Sequence, residues 1–285
     1  MTLPCTPRGI ADWASRRKTA VLVYVLGMGC LVATVMGWFV WTRWLPVWEE
    51  AIVSFPPGSR IEKEQLMLAS DAGQPLTDNL FLSFEWISDP DEESASTSDI
   101  RIIFRSNECR IGSLLGYVSL PYPYGYIIDL DPDKLQPWWL TRRYFFYLGG
   151  WGLLWLGMLG CWWGLAIAYA IPVFLLAYFL GRETGVRTVF RLNLMSLMLP
   201  ALFMSTAFVL YAFRRLNLQE FLTAGVVHIP MAWGLIFLST LRLDRKKSLS
   251  DHSTPAGTLS SNPFGHSESG GKSSSYNPFG GGDKH

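Results

Sequence analysis

The chain is poor in the residues from which most catalytic centres are assembled. Of four histidines, His252, His266 and His285 fall in the C-terminal tail and only His228 lies elsewhere. The four cysteines, Cys5, Cys30, Cys109 and Cys161, are far apart, and only Cys109 lies in the segment read as a soluble domain. That spacing excludes a cysteine metal cluster and a disulfide within one short domain. No H-E-x-x-H, G-x-S-x-G, P-loop or Rossmann pattern occurs. The D-x-D-x-D run at Asp129, Asp131 and Asp133 fails as a calcium loop, because Lys134 stands where the turn needs Gly and Leu140 where the loop needs Glu. Charge is the other scarcity: Tyr144 to Leu180 is 37 residues long without one charged side chain. No soluble core of ordinary size needs such a run, so the chain is read as a membrane protein.

What is present is arranged around that run. Arg8, Arg16, Arg17 and Lys18 precede an uncharged stretch, Thr19 to Trp41, that is long enough to span. Basic flanks face the cytoplasm, so the N-terminus is placed there. A cleaved signal peptide would have a shorter apolar core and a small-residue cleavage site. Cys30 follows Gly27, Met28 and Gly29, a poor match to a lipid-attachment box. The segment Val47 to Trp139 carries 16 acidic against 6 basic side chains, a net of −10. Its β-branched and aromatic runs, Leu80–Ile87, Asp99–Arg105, Leu115–Leu120 and Gly125–Leu130, predict a small antiparallel β-domain. The acidic cluster Asp89, Asp91, Glu92 and Glu93 reads as a solvated loop.

These signals predict a polytopic α-helical membrane protein with four transmembrane helices and a small β-rich extracytoplasmic domain between the first two. The expected parts are a basic N-terminus (1–18), a first span (19–45), the external domain (46–139) and a long kinked second span (140–180). A cytoplasmic loop (181–191), a third span (192–213), an external turn (214–220), a fourth span (221–241) and a tail (242–285) follow. At about 1.5 Å per residue the second apolar run is too long for one upright crossing, yet it holds no polar turn. A double crossing would put the basic Arg242 to Lys247 cluster outside, so a single crossing is expected.

Within the spans, Gly29, Ala33 and Gly37, and again Gly160, Gly164 and Ala168, recur at intervals that place small residues on one helix face for close packing. Whether the first stripe packs within the chain or on a partner is open. Trp38, Trp41, Trp44 and Trp48, together with Trp138 and Trp139, read as aromatic belts at the outer interface, with a cofactor-binding role as the lesser alternative. Asn193 and His228 are the intramembrane polar candidates, and for His228 a neutral imidazole bonding across helices beside the Pro230 kink is the plain expectation. The tail from Ser248 is Ser, Gly and Asn rich and is expected to be disordered. It carries Asn262-Pro263-Phe264-Gly265 and Asn277-Pro278-Phe279-Gly280. Asn-Pro-Phe resembles the peptide taken by eukaryotic EH-type recognition domains; a functional peptide and sequence drift both fit.

The stretches YGYIIDL (Tyr124 to Leu130) and VFRLNLMSLMLPALF (Val189 to Phe203), with the order of the parts from Arg16 to Leu241, resemble a family of bacterial membrane proteins of unknown function, some encoded at maltodextrin-utilisation loci. The resemblance implies a bacterial inner-membrane protein with an envelope role near a transport system, and no catalytic residue. The resulting expectation is a non-enzymatic accessory or scaffold protein of the lipid bilayer with a membrane-protein partner or a second copy, without cofactor, metal or nucleic acid. A sensor whose external domain binds a ligand is the alternative, and a membrane enzyme using His228 comes third.

Overall fold

In the computed structural model, residues 5–68, 75–87, 96–182 and 184–245 are described. The acidic cluster at 89–93 and both Asn-Pro-Phe repeats lie outside them. Four helical stretches are long and apolar enough to cross a membrane: Lys18–Ser54, Pro132–Phe179, Val186–Ala212 and Leu218–Thr240. They accompany a small sheet region inserted after the first.

A short amphipathic helix, α1 (Pro7–Arg16), comes first, capped by the Thr6 hydroxyl on the Gly9 N–H and burying Ile10 and Ala14. α2 (Lys18–Phe39) follows, then one π-helical turn (Val40–Trp44), then α3 (Leu45–Ser54). Pro46, in the first turn of α3, has no N–H and would clash in a regular helix, which accounts for the widened turn before it. The chain leaves α3 at Phe55, where two prolines follow.

Two sheets form next. β1 (Arg60–Glu62), β2 (Gln65–Met67) and β8 (Ile128–Asp129) make a three-stranded sheet in the order β2-β1-β8. β3 (Pro75–Asp78), β4 (Leu82–Trp86), β5 (Ile100–Phe104), β6 (Glu108–Ser113) and β7 (Gly116–Pro121) make a five-stranded sheet in sequence order. The expectation of a purely antiparallel domain is corrected at one pair: β4 and β5 run parallel, in the register Leu82↔Ile100 to Trp86↔Phe104. The connection from Ile87 to Asp99 supplies the dozen or so residues that a parallel crossover needs.

The long apolar run forms one broken helix. α4 (Pro132–Ala168) starts eight residues before the expected span, because the Asp131 carboxylate caps it on the Asp133 N–H at 3.2 Å and Pro132 occupies its first turn. The D-x-D-x-D run therefore starts a helix. A single residue, Tyr169 (φ −79°, ψ −9°), separates α4 from α5 (Ala170–Phe179), and one such residue bends a chain without reversing it. Pro172 explains the place of the break, since it offers no N–H to the Ala168 carbonyl. α6 (Val186–Ala212) and α7 (Leu218–Thr240) form a hairpin whose turn passes through Arg214 at φ 59° and closes on an Asn217/Glu220 capping box.

α2, α4, α6 and α7 share one core, with Val25, Val32, Leu159, Leu192, Met195 and Ile236 among its buried side chains. Gly29 and Gly37 let α4 come close. A Cβ on Gly37 would stand 3.0 Å from Trp151, and one on Gly29 would stand 3.1 Å from Leu159. Ala33, between them, is fully buried. The second stripe differs, because Gly160, Gly164 and Ala168 face outward and an added Cβ at either glycine meets nothing within 4 Å. Buried positions on α4 are instead Leu159, Trp162 and Ala166, so that stripe does not pack within the chain.

The sheets join one end of the bundle through an aromatic cluster of Phe39 (α2), Phe81, Phe208 and Tyr211 (α6) and Phe221 (α7). The Tyr211 hydroxyl donates to Asp99 at 2.6 Å, and the Asn79 amide donates to the Arg43 carbonyl at 2.7 Å. The α6–α7 turn thus lies at the sheet end. At the far end Arg182 donates to the Leu243 carbonyl at 2.8 Å.

Candidate functional site

At the sheet end the continuation of the first long helix, the face of the larger sheet and the beginning of α4 touch through Trp48, Phe84 and Trp139 but leave a gap between them. They enclose an apolar crevice of about 640 Å³. Val40, Trp44, Leu45, Trp48 and Ile52 form one wall; Val40, Trp44, Trp48 and Ile52 recur every four residues and Leu45 precedes Trp48 by three, which keeps them on one helical face. Leu82, Ile100, Ile102 and Ile111 form the second wall, from β4, β5 and β6. Ile100 and Ile102 share a face by strand alternation, and Ile102 stands opposite Ile111 in the β5–β6 register. Leu135, Trp138, Trp139 and Phe146 of α4 complete it. Every lining residue is apolar or aromatic, and the volume falls in the range of small-molecule sites, about 300–1,000 Å³.

The aromatic walls brace one another. Trp48 meets Phe84 edge-on at 5.3 Å and Trp139 at 5.9 Å, while Phe146 lies 5.8 Å from Trp138 and 5.9 Å from Trp139. The rim is polar. Glu49 accepts from the Arg143 guanidinium at 2.9 Å and from the Trp139 indole at 3.3 Å, tying α3 to α4. The Arg142 guanidinium lies 5.2 Å over the Trp138 ring. The Trp44 indole nitrogen is buried beside the crevice and has no hydrogen-bond partner among the described residues.

The tryptophans expected at the outer interface divide by what they touch. Trp44, Trp48, Trp138 and Trp139 wall a cavity, whereas Trp38 packs on Phe213 at 5.6 Å and Trp41 packs on Tyr147 at 4.9 Å. Spacing of three and four puts the first four on one face but does not say what that face meets. The β6 part of the sheet wall went unrecognised because β6, with sequence ECRIGS, offers only Ile111 as a β-branched or aromatic signal.

The polar candidates stand apart from the crevice. Asn193 is fully buried, donates to the Ala166 carbonyl of α4 at 3.0 Å, and leaves its own amide oxygen unpartnered. His228 bonds the Gly225 carbonyl of its own helix, not a neighbouring helix as expected. Among the described residues no group of three His, Cys, Asp or Glu side chains is placed to hold a metal.

Four groups on or beside the strands have displaced pKa values, and none of them lines the crevice. A hydrogen bond from Arg110, at 2.6 Å, holds the Glu108 carboxyl below its ordinary range. Burial pushes the Cys109 thiol up, helped by the adjacent Glu108 charge. Burial likewise pushes up Tyr122, whose hydroxyl donates to the Arg105 carbonyl at 2.8 Å. A hydrogen bond from Lys134 draws Asp129 down. These are structural roles within the sheets.

No protein-family model, curated protein or solved structure matches the chain.

Proposed function

We propose that this chain is a four-span inner-membrane protein with both termini in the cytoplasm, and that its external crevice receives an acyl chain of a lipid from the outer leaflet. The observation that carries the reading is the position of the crevice along the helices. The 22 residues of α2 rise about 33 Å, close to the roughly 30 Å of a hydrocarbon core. With Lys18 at the inner boundary, Val40 then stands at the outer one, and Trp44 to Ile52 stand above it. On α4 the lining runs from Phe146 up to Leu135, about 16 Å of helix rise. The slot therefore begins at the bilayer and climbs out of it, where water would otherwise lie against thirteen apolar side chains.

A lipid also accounts for the polar groups at the rim. Arg142, stacked on Trp138, is available to a phosphate. Basic side chains support the orientation: Lys18, Arg182, Arg187, Arg191, Arg242 and Arg245 all lie at the end opposite the sheets. The test is lipid extraction and mass spectrometry of protein purified in mild detergent, comparing the unmodified chain with Ile111→Glu. Ile111 is 37% exposed, so a carboxylate there enters the crevice without breaking a core. Loss of the co-purifying lipid supports the reading; equal retention by the variant sinks it.

The accessory role expected from sequence is a second reading, and the outward small-residue face of α4 favours it. Gly157, Gly160 and Gly164 each leave open space where a Cβ would be, so a helix of another protein can approach closely there. Cross-linking in native membranes followed by mass spectrometry tests it. A partner lost on Gly160→Leu supports the reading, and a chain recovered alone counts against it.

A further inference from the structure

The break between α4 and α5 leaves a second cleft, of about 490 Å³, at the end of the bundle opposite the sheets. Its floor is apolar: Ile167 and Ala170 on either side of Tyr169, and Val186 and Phe190 from the first two turns of α6. The aliphatic stems of Lys18 at the start of α2 and of Arg187 and Arg191 on α6 complete the lining, and Lys18 and Arg187 are exposed. Among the described residues no carboxylate lines it. Two further observations favour a negative charge at this place. The N-cap of α6 is Gly185, which has no side chain to cap with, and the first turn of the helix holds no acid, so the positive end of the helix is left open. The Arg191 Nε is used on the Arg187 carbonyl at 3.0 Å, while its buried Nη1 has no hydrogen-bond partner among the described residues.

Three cations around an apolar floor match a molecule that is anionic at one end and apolar at the other. We infer that this cleft binds one anionic phospholipid, its phosphate among Lys18, Arg187 and Arg191 and an acyl chain along Ile167, Ala170 and Phe190. The basic turn that sets the topology thus doubles as a headgroup site, which Pro172 opens by stopping α4 at Ala168. The inference rests on the membrane reading above but not on the crevice, which is at the other end.

The experiment uses the full-length protein in mild detergent, delipidated and then titrated with phosphatidylglycerol, phosphatidylcholine or inorganic phosphate, with bound lipid read by native mass spectrometry. Phosphatidylglycerol should be retained over phosphatidylcholine. Each cation removed should weaken it about 5-fold, so Lys18→Gln/Arg187→Gln should weaken it about 30-fold. Arg187→Lys should keep most of the binding. If the double variant fails to fold, Lys18→Gln alone carries the 5-fold expectation. Equal retention of the two lipids, unchanged retention in the variants, or full competition by inorganic phosphate each overturns the inference. Failure of the membrane reading would look different, as a chain recovered in the aqueous phase without detergent.

Discussion

The two glycine stripes look alike in sequence and should respond oppositely to one added methyl group. At Gly37 a Cβ would fall 3.0 Å from Trp151 Cδ1 and 3.3 Å from the Tyr147 hydroxyl. Neither ring has room to yield, since Trp151 stacks on Trp155 at 12° and Tyr147 packs on Trp41 at 4.9 Å. Overpacking of this kind costs about 1–3 kcal/mol, and the gain from replacing a helical glycine by alanine offsets about 1 kcal/mol of it. Gly37→Ala should therefore lose up to about 2 kcal/mol. At Gly160 and Gly164 the same change meets open space, and only the helix gain of up to about 1 kcal/mol remains. The assay is denaturant or thermal unfolding in one detergent, followed by helical circular dichroism. Equal shifts at the two stripes, or greater damage at Gly160, would refute the assignment of the first stripe to packing within the chain.

Other outcomes follow from the same contacts. Tyr122→Phe removes one buried hydrogen bond and should cost about 0.5–1.5 kcal/mol in chemical denaturation of the full-length protein. Burial raises the Tyr122 and Cys109 pKa values, so the folded form keeps both protons when the unfolded chain has released them. The stability they confer is complete below their unfolded pKa values, about 8.5 for the thiol and 10 for the phenol, and is lost as pH rises through the folded values. Unfolding midpoints should accordingly fall above about pH 8.5, and less so in Cys109→Ser. Glu108, with its pKa lowered, acts in the opposite direction: its contribution is present above the ordinary carboxylate range and fades as pH drops through the depressed folded value. Asn193→Leu removes an interhelical bond worth about 0.6–2 kcal/mol along with an unpartnered buried oxygen, so its net effect on unfolding should be near zero. His228→Ala should leave lipid retention unchanged, because its imidazole bonds only its own helix among the described residues.

Apolar runs made the four long helices legible, because run length and lack of charge are properties of a segment read alone. Phe55-Pro56-Pro57-Gly58 marked the end of α3, and four of the eight strands among the described residues were visible as β-branched or aromatic runs. What stayed hidden depends on pairing. The three-residue strands β1 and β2 are defined by their partners, and the parallel β4–β5 register by a crossover. The outward turn of Gly160 and Gly164 follows from which face of α4 meets α2, which spacing alone leaves open. The crevice is the clearest case. Its tryptophans stood out in the sequence, but Ile100, Ile102 and Ile111 belong to the same site only because β5 and β6, more than 50 residues after Trp44, fold back toward them.

The most direct test of an acyl chain in the crevice is photo-cross-linking in proteoliposomes with a phospholipid that carries a diazirine in its acyl chain, followed by peptide mapping. β5 stands outside the hydrocarbon on the proposed topology, so bilayer lipid reaches it only through the crevice. Label on Ile100 or Ile102 and on Leu135 to Trp139, removed by Ile111→Glu, is the predicted result. Label confined to the outward faces of α4 and α7, with none on β5, would contradict the account.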